Sequence, residues 1–301
     1  MNATERLRYL YLNHPKKLLA LPVLLVIISL FILINNVITS GDIFNKDVSL
    51  KGGIIATVST SEPVDIKDLE AKLVSLYRDA SVKRLAEFGS DKQIGIIVEV
   101  PEVDEDSLKN MLESYLNLKL TDNNFSLEMT GSSVGEAFYQ QMIRAMILSF
   151  LFMAIVIFIT FRTFVPGIAA VMSALFDIIV TMAFVVVIDL RISPAGIAAF
   201  LMLIGYSIDT DILQTSRVLK KREATPVEGV ISSVKTGLTM TGTSILAVLL
   251  GYIFSPSPVF KEMFLIIFVG LFIDIIMTYM MNAPILITYM NKKLNILKQD
   301  V

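Results

Sequence analysis

The chain has 301 residues, 54% of them hydrophobic, a mean hydropathy of +0.68 and a net charge of −2; soluble domains lie near about 45–50% apolar, so an ordinary soluble fold is excluded. Cysteine is absent and His14 is the one histidine, which rules out disulfides and thiolate chemistry and leaves histidine metal sites or a Ser/His/Asp triad almost nothing to work with. Charge is segregated: residues 41–140 hold 10 Lys/Arg against 18 Asp/Glu, a net of −8, and the remainder holds 16 against 10, a net of +6, a distribution that suits a membrane protein and argues against a nucleic-acid binder.

Residues 1–17 form a basic arm carrying Arg6, Arg8, Lys16 and Lys17. Leu18–Ile38 is apolar for about the 20 residues a bilayer crossing needs. It outlasts the apolar region of a secretory signal and no small-x-small site clearly follows it, so it reads as an uncleaved anchor. Residues 39–140 then alternate in period. Ile54, Ala56 and Val58 repeat every two residues and Ile66, Leu69, Leu73 and Tyr77 follow a helix; a weaker strand lies around Val82–Phe88. Ile94, Ile96, Val98 and Val100 alternate again, Leu108, Met111, Leu112 and Tyr115 are helical, and Phe125, Leu127 and Met129 alternate. The order β-α-β-β-α-β predicts a ferredoxin-like α+β domain. Gly52-Gly53 reads as a tight turn into the first strand, and Asp104-Glu105-Asp106 as a helix start favoured by the dipole.

Residues 141–290 hold five further spans, at about Ala145–Phe161, Val165–Ile188, Ala195–Leu219, Thr236–Phe254 and Met263–Met290, and a tail at 291–301 closes the chain. Arg162, then Arg217, Lys220, Lys221, Arg222 and Lys235, then Lys292, Lys293 and Lys298 flank one end of these spans; the opposite loops carry Arg191 and Lys261. By the positive-inside rule both termini are cytoplasmic and the domain faces outward. Thr225-Pro226-Val227-Glu228 has the form of a helix start, and Val227, Val230, Ile231 and Val234 make an apolar stripe; together they predict an amphipathic helix on the cytoplasmic surface leading into the fifth span.

Four carboxylates stand inside spans: Asp177 in the third, Asp209 and Asp211 in the fourth, Asp274 in the sixth. Insertion scales place an aspartate at a helix centre at about +2.5–3.5 kcal/mol, so each should face the bundle interior, find a partner or carry a proton. Ser207, Asp211, Gln214 and Thr215 share one helical face, from which Asp209 points away; Thr239 and Thr243 lie on one side of the fifth span with Lys235 at its end. All these, with Arg217, are candidates for a polar relay, while Arg217 and Lys235 also read as plain interfacial anchors. Structural glue between helices, a scaffold without ion coupling, a small-molecule or lipid exporter and an aspartyl protease dyad are the rival readings. The exporter reading expects a second six-helix half, which is absent from this sequence, or a ligand-sized apolar pocket; the protease reading expects a Gly-x-Gly-Asp arrangement, which is missing. No phosphate-binding Gly-x-x-x-x-Gly-Lys-Ser/Thr loop is present either.

Gly205-Tyr206-Ser207-Ile208-Asp209-Thr210-Asp211, followed by Arg217, resembles the fourth-helix signature of SecF proteins, the archaeal form in particular. Leu50-Lys51-Gly52-Gly53 resembles that family's entry to its outer domain, Ser133-Val134-Gly135 the segment leading into the second helix, Ala174-Leu175-Phe176-Asp177 the third-helix motif, and Lys235-Thr236 with Thr239 and Thr243 the start of the fifth helix. Bacterial members have Asn-Asp-Thr where this chain has Asp209-Thr210-Asp211, often Arg at position 235 and His at position 176, so Asp209 and Asp211 both remain candidates for the bacterial carboxylate. The resemblance implies a six-helix half of an RND-like bundle in the cell membrane, paired with SecD. It also implies work with the SecY channel on a translocating polypeptide, contact with membrane lipids, coupling to proton-motive force, and neither catalysis nor a cofactor or metal.

Overall fold

The computed structural model describes residues 3–60, 62–77, 79–87, 92–101, 104–219 and 225–299. Helices α1 (Ala3–Asn13), α2 (Pro15–Leu18) and α3 (Ala20–Ser40) open the chain. The α+β domain follows as α4 (Val48–Lys51), β1 (Gly53–Ser59), α5 (Ile66–Leu76), β2 (Ser81–Ala86), β3 (Gln93–Val100), α6 (Glu105–Leu116) and β4 (Phe125–Thr130). The rest is helical: α7 (Ser132–Phe161), α8 (Phe164–Val187), α9 (Pro194–Leu219), α10 (Pro226–Phe254), α11 (Pro258–Met277), a π-helical turn at Thr278–Asn282 and α12 (Ala283–Gln299). Among the described residues six helical stretches are long and apolar enough to span a membrane, with α11, the π turn and the start of α12 forming one of them. Lys220, Lys221, Arg222 and Phe88, and the side chain of Lys298, lie outside the described residues.

The sheet runs β2-β3-β1-β4 with every neighbour antiparallel, which is the ferredoxin-like order expected of the β-α-β-β-α-β pattern. Ile54, Ala56 and Val58 stand opposite Val100, Val98 and Ile96. Leu69 and Leu73 of α5 and Leu108 and Leu112 of α6 pack over them and are fully buried, each burial contributing about 1.5–3 kcal/mol. Ile94 drops out of the alternating row, because the β2–β3 register shifts between Leu85 and Ala86 and leaves its side chain exposed. Asp65 caps α5, its side chain accepting from Lys67 N at 3.0 Å, and Asp104 caps α6, accepting from Ser107 N at 3.1 Å.

Two elements differ from the sequence reading. Helix α7 begins at Ser132 and so absorbs residues 132–140, which hydropathy alone leaves in the domain. The Val227–Val234 stripe is no separate surface helix: α10 runs unbroken from Pro226 to Phe254. Its stripe is covered by Tyr11 of α1 and by Ala283, Leu286 and Ile287 of α12, which removes the reason for it to lie flat on a membrane. Thr225 caps that helix as its motif suggests, accepting from Glu228 N at 3.3 Å.

Domain and bundle are tied closely. Gly52 (φ +90°) and Gly53 (φ +148°) make the turn into β1, and a Cβ on Gly52 would run into the backbone of Ser132 at the start of α7. Backbone bonds join Asp47 N to Ile192 O at 2.9 Å and Ile192 N to Asn45 O at 2.7 Å, while Arg191 Nη1 donates to the carbonyl of Asp79 at 2.6 Å.

Candidate functional site

Three helices form the inside of the bundle. In their apolar windows α8, α9 and the α11–α12 stretch are 56%, 50% and 50% buried, against 11–17% for α3, α7 and α10. The membrane-embedded carboxylates Asp177, Asp211 and Asp274 come from those inner helices, one each, and are 0%, 0% and 1% exposed. Ala174 and Ala170, one and two turns before Asp177, are also fully buried, and small side chains of that kind let helices approach closely enough to bond.

A chain of hydroxyl and amide groups connects the carboxylates. Ser207 Oγ donates a short hydrogen bond to Asp177 Oδ2. Thr210 Oγ1 lies 3.1 and 3.0 Å from the two oxygens of Asp274. Thr278 Oγ1 stands 3.2 Å from Asp274 Oδ1 and 3.2 Å from Asp211 Oδ1, and Asn282 Nδ2 donates to Asp211 Oδ1 at 2.7 Å. Oxygens Asp177 Oδ1 and Asp211 Oδ2, both amide atoms of Gln214 and Thr215 Oγ1 are buried without a hydrogen-bond partner among the described residues. Among the described residues no lysine or arginine pairs with any of the three carboxylates.

Thr210, Thr278 and Asn282 are the members that sequence reasoning missed. The signal was present: Thr278 and Asn282 follow Asp274 by one and two helical turns, so all three share a face. The π turn accompanies this stripe, with Ala283 N bonded back to Thr278 O across five residues and Pro284 next in the chain. Proline has no N–H and its ring clashes with the carbonyl four residues earlier, a strain that a wider π turn relieves.

The other candidates are not brought to the cluster. Asp209 is exposed on the far side of α9. Thr239 and Thr243 face outward and donate to carbonyls of their own helix, Lys235 O at 2.9 Å and Met240 O at 2.7 Å. Lys235 is exposed. Arg217 ties α9 to α10, donating to Ser232 Oγ at 2.6 Å and to Thr236 Oγ1 at 2.8 Å. Among the described residues no group of three or more His, Cys, Asp or Glu is arranged to hold a metal ion.

A second ionic group sits where the sheet meets the bundle. Lys83 of β2 lies 2.5 Å from Glu99 of β3 and 3.4 Å from Asp47 at the start of α4, both carboxylates 3% exposed. Burial, and next the charge of Asp47, push the Glu99 carboxyl up to about 8. Burial disfavours the Lys83 ammonium, but Asp47 and Glu99 outweigh it and raise its pKa. Glu262 of α11 accepts from Ser193 N at 2.8 Å and rests against Gly196, where no Cβ stands in the way.

Comparison with known proteins gives a consistent result. The family model described as "Protein export membrane protein SecD/SecF, C-terminal" matches residues 109–292. "Protein-export membrane protein SecF" of Methanolacinia petrolearia is 35% identical over 93% of this chain and 95% of its own length. The protein of that name from Pyrococcus furiosus is 32% identical over 96% of each. The crystal structure of SecDF from Thermus thermophilus, a translocon-associated membrane protein, superposes with a TM-score of 0.71 at 20% identity, covering 97% of this chain and 39% of that one. SecDF in its super-membrane-facing form gives 0.63 at 18% identity, covering 100% of this chain and 40% of the other. The chain thus has the fold of about two fifths of those polypeptides and spans nearly the whole of the relatives named SecF.

Proposed function

The chain belongs to the SecD/SecF family of protein-export membrane proteins, and on that premise we propose that it is an auxiliary subunit of the Sec machinery. In this reading it pairs with SecD beside the SecY channel and couples ion movement through its carboxylate cluster to work on a translocating polypeptide. The observation that carries the coupling is the convergence of Asp177, Asp211 and Asp274, buried together on three helices with hydroxyl and amide partners and, among the described residues, no paired cation. Three uncompensated negative charges in a dry bundle are prohibitively costly. Protons or cations must therefore enter and leave with any change in their ionisation, and each such charge crossing the membrane delivers about 2.3 kcal/mol per 100 mV.

Pairing with SecD is supported by the outer face of α9, where Met202, Gly205 and Asp209 lie exposed on one side of the helix. A carboxylate there costs about 2.5–3.5 kcal/mol against lipid, and a partner bundle supplies the polar cover. The share of SecDF that this chain leaves uncovered has the size of such a partner. Arg162, Arg217, Lys235, Lys292 and Lys293 adjoin the helix ends remote from the α+β domain, which supports cytoplasmic termini and an outward domain.

The test is preprotein translocation into vesicles holding this protein with SecD, with and without an imposed proton gradient, comparing the native chain with Asp211→Asn, Asp274→Asn and Asp209→Asn. The proposal expects a gradient-dependent gain that the first two substitutions remove while the complex stays intact. A gain unchanged by both reduces the protein to a scaffold.

A further inference from the structure

We propose that the chain carries a built site for one anionic phospholipid in a groove between the start of its first membrane helix, the start of α8 and α12. The groove has a volume of about 680 Å³, and Lys16, Lys292 and Lys293 stand around one end of it. Val165 and Ile285 line it and also line a second, almost wholly apolar groove of about 320 Å³ that continues past Ile168, Met172 and Met281. The two are therefore one furrow, basic at the end remote from the α+β domain and apolar along the span.

That polarity identifies the occupant. A soluble anion has no use for the apolar length, and a neutral lipid has none for three ammonium groups, whereas an anionic phospholipid matches both. Basic pockets between membrane helices on the cytoplasmic side have this preference on general grounds. The lysines are available, since among the described residues none of the three forms an ion pair. They also converge from opposite ends of the sequence, Lys16 from α2 and Lys292 and Lys293 from α12, so the rim exists once the fold is formed. Thr288, on the same wall, spends its hydroxyl on the Pro284 carbonyl at 2.7 Å.

The experiment uses the full chain in detergent micelles offered equal amounts of dioleoylphosphatidylglycerol and dioleoylphosphatidylcholine, with retained lipid counted by native mass spectrometry. One phosphatidylglycerol per chain is expected, and the Lys16→Gln, Lys292→Gln, Lys293→Gln triple variant should bind it about a hundredfold more weakly, as three interfacial lysines at about 1 kcal/mol each imply. Lys51→Gln with Lys72→Gln, on the α+β domain, should change nothing. Thr288→Trp, which fills the groove and leaves the charges, should lower retention of both lipids. Equal retention of the two lipids by the native chain, or phosphatidylglycerol held equally by the triple variant, overturns the proposal; so does release of the lipid when SecD is added, which would make a protein the occupant. None of these readouts depends on export or ion coupling.

Discussion

Lys83→Met removes the ammonium that Asp47 and Glu99 both contact at the joint between sheet and bundle. The lysine side chain is 23% exposed and the two carboxylate side chains 4% each; with the Glu99 carboxyl pushed up to about 8, the substitution strands the Asp47 charge where water hardly reaches it. Breaking a buried pair from one side costs about 3–5 kcal/mol, whereas an exposed pair is worth about 0–1 kcal/mol. Asp47→Asn in the same chain removes that stranded charge and should restore about half of the loss. Unfolding in detergent, followed by far-ultraviolet circular dichroism and by protease cleavage between β4 and α7, measures all four members of the cycle. A loss below about 1 kcal/mol for Lys83→Met, or a double variant no more stable than the single, would refute the view that this group fastens the domain.

The same group makes the joint sensitive to pH. Because the folded Glu99 carboxyl is pushed up to about 8, above the usual carboxylate value of about 4.3, the folded state binds its proton more tightly than the unfolded one. That contribution is complete below the unfolded value and is lost as pH rises through about 8. Melting temperature should therefore fall between pH 6 and pH 9, and Glu99→Gln should flatten the profile; a native profile that rises over this range would contradict the sign. Gly52→Ala should cost on the order of 1–3 kcal/mol from the φ of +90° alone, and more because its Cβ must displace Ser132; an unchanged melting curve would remove the close-approach argument.

The sheet domain was legible because its signals are local. Period-two rows, helical rows and the Asp65 and Asp104 caps all fall within one element each, and the sheet order follows from their sequence. The spans were legible by hydropathy, but their ends were not: α7 continues into polar residues because it packs on α4 around Gly52 and Gly135, a tertiary contact that hydropathy does not see. In the site, the spacing of Ser207 and Asp211 assigned them to one face, yet which face turned inward depended on neighbours, so Asp209 and Asp211 were ranked together. Thr239 and Thr243 show the converse. A hydroxyl stripe on a helix reads as a relay, but each of these hydroxyls is satisfied by its own helix backbone.

Strand β4 passes into α7 through Gly131 alone, so on that side the chain has no slack between sheet and bundle. A helix of 30 residues is roughly 45 Å long at about 1.5 Å per residue, well beyond the ~30 Å of a hydrocarbon core. Its surplus turns stand clear of the lipid as a stiff stem under the sheet. A tilt or piston motion of α7 therefore meets no loop in which to dissipate before it reaches the edge strand.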